Sequence, residues 1–421
     1  MNQHSTSQRV VGVETGLRAL RDALETRAAR VAAGALIPFY FCYHVTRFRP
    51  QSLWPPIPAH DAAIMLARAT EIFHSGGYPV TDAAPFPYPP SAVLLLRALG
   101  LVGPGAFSIV WVVLMAAGLL AVFRASLAAE PDRTRGAWLA IGALSLVAAD
   151  SPVSWDLRNL NSNLIYLALV MTSYALMRRR PDLAGGLLGV SISLKLFSIL
   201  IIPWLAINGP RRALLWAVVT MLIMWLALPM AFFGHGAIRL YEGWGQQLRI
   251  VAGASPMVAC AACGPPLVSL RRALSASIGE TAAMPVALAA LRIGWILVLA
   301  WYARRALSAA RPVKAPSRVA LADWSVLMVA PLPLSPWLEP YHVVTILPGV
   351  ILLVEMALDE QIAMRERAVA GSAFLVLALA NIVGSPFAIR GFLIAVQCLA
   401  LTLCFGWLRR VLPEAPAFAE H

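Results

Sequence analysis

Charge is scarce in this chain. Only 13% of its 421 residues are Asp, Glu, Lys or Arg, 59% are hydrophobic and the mean hydropathy is +0.72. A soluble globular domain of this size cannot hide so much apolar surface, so a soluble protein is excluded and an all-α integral membrane protein is expected. Lysine is nearly missing: Lys195 and Lys314 are the only lysines among 34 basic residues, so a lysine inside an apolar run stands out. Cysteine is sparse, and the Cys260-x-x-Cys263 pair has no histidine partners. Two such thiols make half a metal site at best, and a disulfide in an oxidising compartment is the stronger reading. No Gly-rich phosphate loop, zinc motif or serine nucleophile elbow is present, and no metal site is expected. The two similar halves of repeat-built transporters are missing too. Residues 1–30 are polar and the first apolar run has no small-residue cleavage site, so a signal peptide is not expected and the N-terminus is placed in the cytoplasm.

What the chain does contain is arginine. The formal net charge is +13, but the arginines gather at the ends of apolar runs, which is positive-inside topology rather than a nucleic-acid face. In residues 1–30, Val10, Val13, Leu17, Leu20 and Leu24 recur at helical spacing against Arg9, Arg18, Arg21 and Arg27. That pattern suits an interfacial helix on the inner leaflet or a frayed tail. Alternating the apolar runs between arginine clusters predicts about 12 transmembrane helices over 31–410, with a cytoplasmic tail at 411–421. The external loops are then 48–90, 150–163, 234–284 and 335–342. The run at 91–101 has about half the 20 residues that a full crossing needs, so it dips into the bilayer or lies flat. The run at 183–207 suffices for one crossing, but Arg211 and Arg212 follow it and would then lie outside. A hairpin of two short helices with Lys195 near its tip resolves the conflict; a single crossing would bury Lys195 at mid-membrane, at roughly 3 kcal/mol or more.

The polar residues converge on the external side. Asp61 follows His60 at the opening of a helical segment, where a carboxylate either caps the helix or serves as general base for a sugar hydroxyl. Lys195 either snorkels or holds an anionic phosphate, stabilising charge that develops on a leaving group. His342 closes the stretch Trp337-Leu338-Glu339-Pro340-Tyr341-His342 at the mouth of a helix. It reads as structural or as an acid/base or phosphate partner, with Trp337 a face for sugar stacking and Glu339 a rival carboxylate base. Asn161 and Asn163 either cap a helix or hydrogen-bond sugar hydroxyls. Nothing on the arginine-rich face is built for a soluble nucleotide sugar, so a donor would arrive through the membrane.

These residues resemble the bacterial polyprenyl-phosphate-dependent glycosyltransferases of the GT-C type. The particular likeness is to glycosyltransferase family 87, which includes the mannosyltransferases of phosphatidylinositol-mannoside assembly and some arabinofuranosyltransferases. The resemblance spans about 61–342. It rests on Asp61 in the first external loop, on Gly76-Gly77-Tyr78-Pro79 followed by Tyr88-Pro89-Pro90, and on Asn161 and Asn163 at a helix start. The segment 184–195 ending in Lys195 and the Ser-Pro-x-x-x-x-x-His stretch ending at His342 complete it. Leu160-Asn161-Ser162-Asn163 stands where the family usually shows Gly-Gln-x-Asn, and Leu-Phe-Ser follows the lysine in place of a proline turn. Those departures bear on donor and acceptor identity more than on the reaction class.

The resemblance implies a GT-C fold whose external loops and juxtamembrane helices form the site. It implies an inverting transfer of mannose, or else arabinofuranose, from a polyprenyl-phosphate sugar to an extracytoplasmic glycolipid or polysaccharide, with no cofactor and no nucleotide. By the same carry-over Asp61 is the base with His342 as partner or rival, and Lys195 touches phosphate. Tyr88, Asn161, Asn163, Trp337, Glu339, Tyr341 and His60 complete the substrate-binding set. The inner (plasma) membrane is the expected location, and membrane lipids the surroundings. Two other classes stay open: a transporter or flippase of lipid-linked sugars, and an envelope polymerase or ligase, for which Arg239, Arg249, Arg271 and Arg272 in the 234–284 loop speak.

Overall fold

A computed structural model describes residues 26–47, 61–78, 86–126, 135–253, 269–279, 281–307, 315–336, 338–382 and 387–409. His60, Trp337, Cys260, Cys263, most of the expected interfacial helix and the tail at 411–421 lie outside them. Every regular element among the described residues is helical. Among the described residues, five helices are long and apolar enough to cross a membrane: Gly105–Ser126, Arg211–Phe233, Ala283–Leu307, Pro340–Leu358 and Arg390–Leu408. Shorter apolar helices join them, among them Pro90–Gly100, Asn163–Leu176, Pro181–Leu194 and Leu196–Asn208. Length and composition thus qualify five of the dozen crossings that the arginine pattern predicts. Ala283–Leu307 turns Val286, Ile293, Ile296 and Leu297 outward, as a helix facing lipid does, because acyl chains impose no penalty on exposed apolar side chains.

Register within the bundle follows from a few close contacts. Asn163–Leu176 and Pro181–Leu194 run antiparallel: Ser191 Oγ donates to Tyr166 O (3.1 Å) near one end and Ser173 Oγ to Ala184 O (2.7 Å) near the other. Pro181–Leu194 then runs parallel to Arg211–Leu222, because Gly185 lies against the Ala213 carbonyl and Gly189 against that of Ala217, where an added Cβ would stand 2.7 Å from the oxygen. Glycine is required at both positions for this backbone approach. Two parallel helices in sequence demand a return path, so the chain reverses at Lys195 and Leu196–Asn208 runs back. Lys195 therefore sits at one end, and Arg178, Arg179 and Arg180 share the other with Arg211 and Arg212.

Polar groups gather in two layers separated by the apolar core. Towards the arginine end, buried Asp323 accepts hydrogen bonds from Tyr302 Oη (2.7 Å), Trp204 Nε1 (2.9 Å) and the Arg409 guanidinium. Arg318 there pairs with Glu355 and Asp359, all three buried. Tyr174 joins this layer by donating to Ser317 O (2.8 Å). The other layer is at the Lys195 end.

Candidate active site

The second layer is built outward from a turn. The helix Asp150–Asn159 ends at Leu160 in the left-handed region, φ 49° and ψ 45°. An L side chain there costs on the order of 1 kcal/mol. Two bonds hold it: Trp111 Nε1 donates to Leu160 O (2.8 Å), and Asn161 N to Asp156 O (3.1 Å). The reversal aims Asn161, Ser162 and Asn163 back over Asp156 and starts the helix Asn163–Leu176. Asp156, fully buried, takes Leu164 N on Oδ2 (3.0 Å) and Asn163 Nδ2 on Oδ1 (2.7 Å). A carboxylate thus satisfies one of the orphan N–H groups at a positive helix end.

From Asp156 the hydrogen bonds run in two directions. Asn163 Oδ1 accepts from Lys195 Nζ (2.6 Å), while its Nδ2 also donates to Asn161 Oδ1 (2.9 Å). Asn161 Oδ1 accepts in addition from Ser162 N (2.8 Å), and Asn161 Nδ2 donates to Asp61 Oδ2 (2.8 Å). Asp61 opens the helix Asp61–Ser75, and both Asp61 and Lys195 are half-buried. A continuous line therefore joins the ammonium to the carboxylate through two amides.

Lys195 interrupts its helix in extended conformation, φ −154° and ψ 126°. Its Nζ lies 5.6 Å from the ring centres of Tyr88 and Tyr166 and 5.9 Å from that of Phe197, a cage in which ring quadrupoles attract the cation. Tyr88 is delivered by a segment clamped to the amphipathic helix Gly236–Gly253: Gln247 Oε1 accepts from Phe86 N (2.9 Å) and Trp244 Nε1 donates to Pro87 O (2.9 Å). Tyr78 Oη completes the clamp by donating to Tyr88 O (2.7 Å).

The third wall is the turn before Pro340–Ile346. Glu339 and His342 form a reciprocal capping box in which His342 Nδ1 accepts from Glu339 N (3.0 Å). The Tyr341 hydroxyl donates to Glu339 and also reaches Asp61. The His342 ring lies 5.5 Å from Phe197.

Enclosure shifts the charges of this cluster. Burial pushes the Asp61 carboxyl above the ordinary carboxylate range, against the downward pull of the Asn161 hydrogen bond, the Lys195 charge and the Tyr341 hydroxyl. Asp156 is pushed up to about 7, again by burial, with the bonds from Asn163 and Leu164 opposing. Burial brings Lys195 down to about 8, although Asp156, Glu339 and Asp61 all favour its charged form. Tyr88 is raised by burial and by the nearby carboxylates. Among the described residues no group of three or more His, Cys, Asp or Glu side chains converges as metal ligands.

Asp61, Tyr88, Asn161, Asn163, Lys195, Glu339, Tyr341 and His342, scattered over the sequence, thus come together in one layer. The amides of Asn161 and Asn163 are engaged with Asp61, Asp156, Lys195 and each other. Sequence reasoning missed Asp156 and two walls of the cage, Tyr166 and Phe197. Asp156 had a faint signal, an acidic residue in the polar stretch 150–163. The aromatics had none, since each stands in an apolar run.

A family model, Glycosyltransferase family 87, matches residues 86–331, more than half of the chain and inclusive of Tyr88, Asp156, Asn161, Asn163 and Lys195. No curated protein and no solved structure matches the chain.

Proposed function

The chain belongs to glycosyltransferase family 87 and is a membrane glycosyltransferase, and from that premise we propose that it transfers a sugar from a polyprenyl-phosphate donor to an extracytoplasmic glycolipid or polysaccharide. Mannose is the first choice of sugar and arabinofuranose the second. The observation that carries this reading is the line from Lys195 to Asp61, which links a cation and a carboxylate through two amides at the end of the bundle away from the arginines.

The chemistry divides between the two charges. Asp61 takes the proton of the acceptor hydroxyl as that oxygen bonds to the anomeric carbon. The bond from the anomeric carbon to the phosphate oxygen breaks on the opposite face, inverting the centre, and its electron pair leaves on polyprenyl phosphate. Lys195 stabilises that departing anion, in a cage poor in water where a fixed charge acts strongly. The Asn161 amide holds Asp61 in place, and the Tyr341 hydroxyl, which donates to Glu339, lies beside it. Tyr88 presents an aromatic face beside the phosphate position, and neither nucleotide nor metal is needed.

The arginine clusters set the orientation by the positive-inside rule, so the catalytic layer faces outward from the inner (plasma) membrane with both termini in the cytoplasm. A GT-C architecture with about a dozen crossings accommodates this layer among its external loops.

Transfer from synthetic short-chain polyprenyl-phosphate mannose and arabinofuranose to total membrane lipid tests the reading. Wild type is expected to transfer one of them and Asp61→Ala to lose about a hundredfold or more, as for a missing general base. Undiminished transfer by Asp61→Ala would remove Asp61 as the base and move the test to Glu339 and His342. A wild type that transfers neither sugar would contradict the proposed donors.

A further inference from the structure

Each hydrogen bond in the line between Lys195 and Asp61 has a direction, and the directions are not independent. An amide side chain can present either its oxygen or its NH2 group at a given place, whereas an ionised carboxylate only accepts. Asp156 receives Leu164 N on one oxygen and Asn163 Nδ2 on the other. With the NH2 of Asn163 held there, its oxygen must face the Lys195 ammonium, which can only donate. The same NH2 group gives its second proton to Asn161 Oδ1, which Ser162 N also occupies. The NH2 of Asn161 is then left to face Asp61 Oδ2.

We infer that Asp156 is the positioning residue of this site: a buried acceptor that fixes the polarity of the two amides and thereby keeps Lys195 charged and Asp61 turned towards the acceptor. The inference rests on the proposed roles of Asp61 and Lys195. Asp61 keeps Oδ2 on the Asn161 amide, and the acceptor hydroxyl approaches this carboxylate beside the Tyr341 hydroxyl. Lys195 keeps one proton on Asn163, with the rest of the ammonium inside the aromatic cage. A hydrogen-bonded chain of fixed polarity is worth more than its members taken singly, because each bond polarises the next.

The charged and titratable groups around Lys195 come from four elements. Asp156 lies on Asp150–Asn159, Asp61 on Asp61–Ser75, Glu339 and His342 at the turn into Pro340–Ile346, and Tyr166 on Asn163–Leu176, with Tyr88 beside them. Asp156, which reaches Lys195 through Asn163, favours the charged form of Lys195, as do Glu339 and Asp61. Removing its charge must therefore lower the pH at which the ammonium loses its proton. The isosteric substitution Asp156→Asn would also put an NH2 group against Leu164 N or Asn163 Nδ2, and relief requires the Asn163 amide to turn its own NH2 on the ammonium.

Lys195 can be titrated directly, since the chain has only one other lysine, Lys314, which serves as internal reference. Full-length wild type, Asp156→Asn and Asn163→Ala are labelled with a small acylating reagent over a pH series, and modification of the Lys195 peptide is read by mass spectrometry. Both variants are expected to move the midpoint down by about one pH unit. Asn163→Ala acts through the same link and carries the test if Asp156→Asn does not fold. An unchanged midpoint in the folded variants overturns the inference. Alongside, both variants are expected to lose about tenfold or more in kcat for transfer, with losses far from additive in the double variant, as for residues in one network. Additive losses, or unchanged kcat, count against a shared positioning role. The labelling involves no sugar donor, so a shifted midpoint without transfer by wild type would leave the inference standing and fault the proposed reaction instead.

Discussion

At the scale of single residues, the proposed mechanism depends on two groups whose charges must coexist. Asp61 has to be ionised to accept a proton, and Lys195 has to be protonated to hold an anion. Burial raises the first above the ordinary carboxylate range and brings the second down to about 8. The rate of transfer is therefore expected to rise with pH later than a solvated aspartate would allow and to fall again through about 8. A pH profile of kcat/KM measures both limbs; an alkaline limb near the ordinary lysine value would contradict the enclosure of Lys195. Lys195→Arg, whose guanidinium keeps its charge, is expected to lose that alkaline limb and to show a higher KM for donor, because a planar fork does not fit the space of an ammonium. Asp61 and Lys195 were legible in the sequence because each is a rare charge in an apolar chain. Asp156 was not, because nothing local separates a buried acceptor from any other acid in a polar loop.

Among the elements, the helix Pro181–Leu194 decides where Lys195 stands. Its seam with Arg211–Leu222 is closed by Gly185 and Gly189, and a Cβ at Gly185 would run into the Ala213 carbonyl. Backbone cannot yield as a flexible side chain does, so Gly185→Ala is expected to destabilise the protein by about 1–3 kcal/mol, as overpacking does. Gly186→Ala is the control, because its Cβ would meet only Thr220 Oγ1 at 3.7 Å, and it should be tolerated. Thermal unfolding of the two variants in detergent makes the comparison; equal melting temperatures would refute the close approach of the two backbones. The reversal at Lys195 could be argued from sequence, since Arg211 and Arg212 had to return to the side of Arg178. The glycine seam could not, because it pairs residues far apart in the chain.

Over the whole molecule, two polar layers face opposite ends and do different work. The layer at Asp323 binds together Ile201–Asn208, Ala283–Leu307, Arg318–Val329 and Phe387–Leu408 through Trp204, Tyr302 and Arg409. Removing one member of a buried ionic network strands the others, at about 3–5 kcal/mol. Asp323→Ala is accordingly expected to lower stability by that amount in a denaturant or thermal titration while the folded fraction keeps its transfer rate, since no catalytic group touches this layer. A rate loss exceeding the loss of folded protein would show that the two layers are coupled.

The sequence by itself determined that this is a helical membrane protein, which end of each helix carries arginine, and that Asp61, Lys195 and His342 belong to the same side. Those conclusions follow from local facts, the lengths of apolar runs and the cost of charge in a bilayer. The tertiary structure alone decided what these residues do to one another. It gave His342 a capping bond, committed Asn161 and Asn163 to a directed line of amides, caged Lys195 between Tyr88, Tyr166 and Phe197, and put Asp156 beneath them all. The physical reason is that hydrogen bonds and cation–ring contacts act over a few ångströms, so partners drawn from distant parts of the chain acquire meaning only when packing brings them within reach.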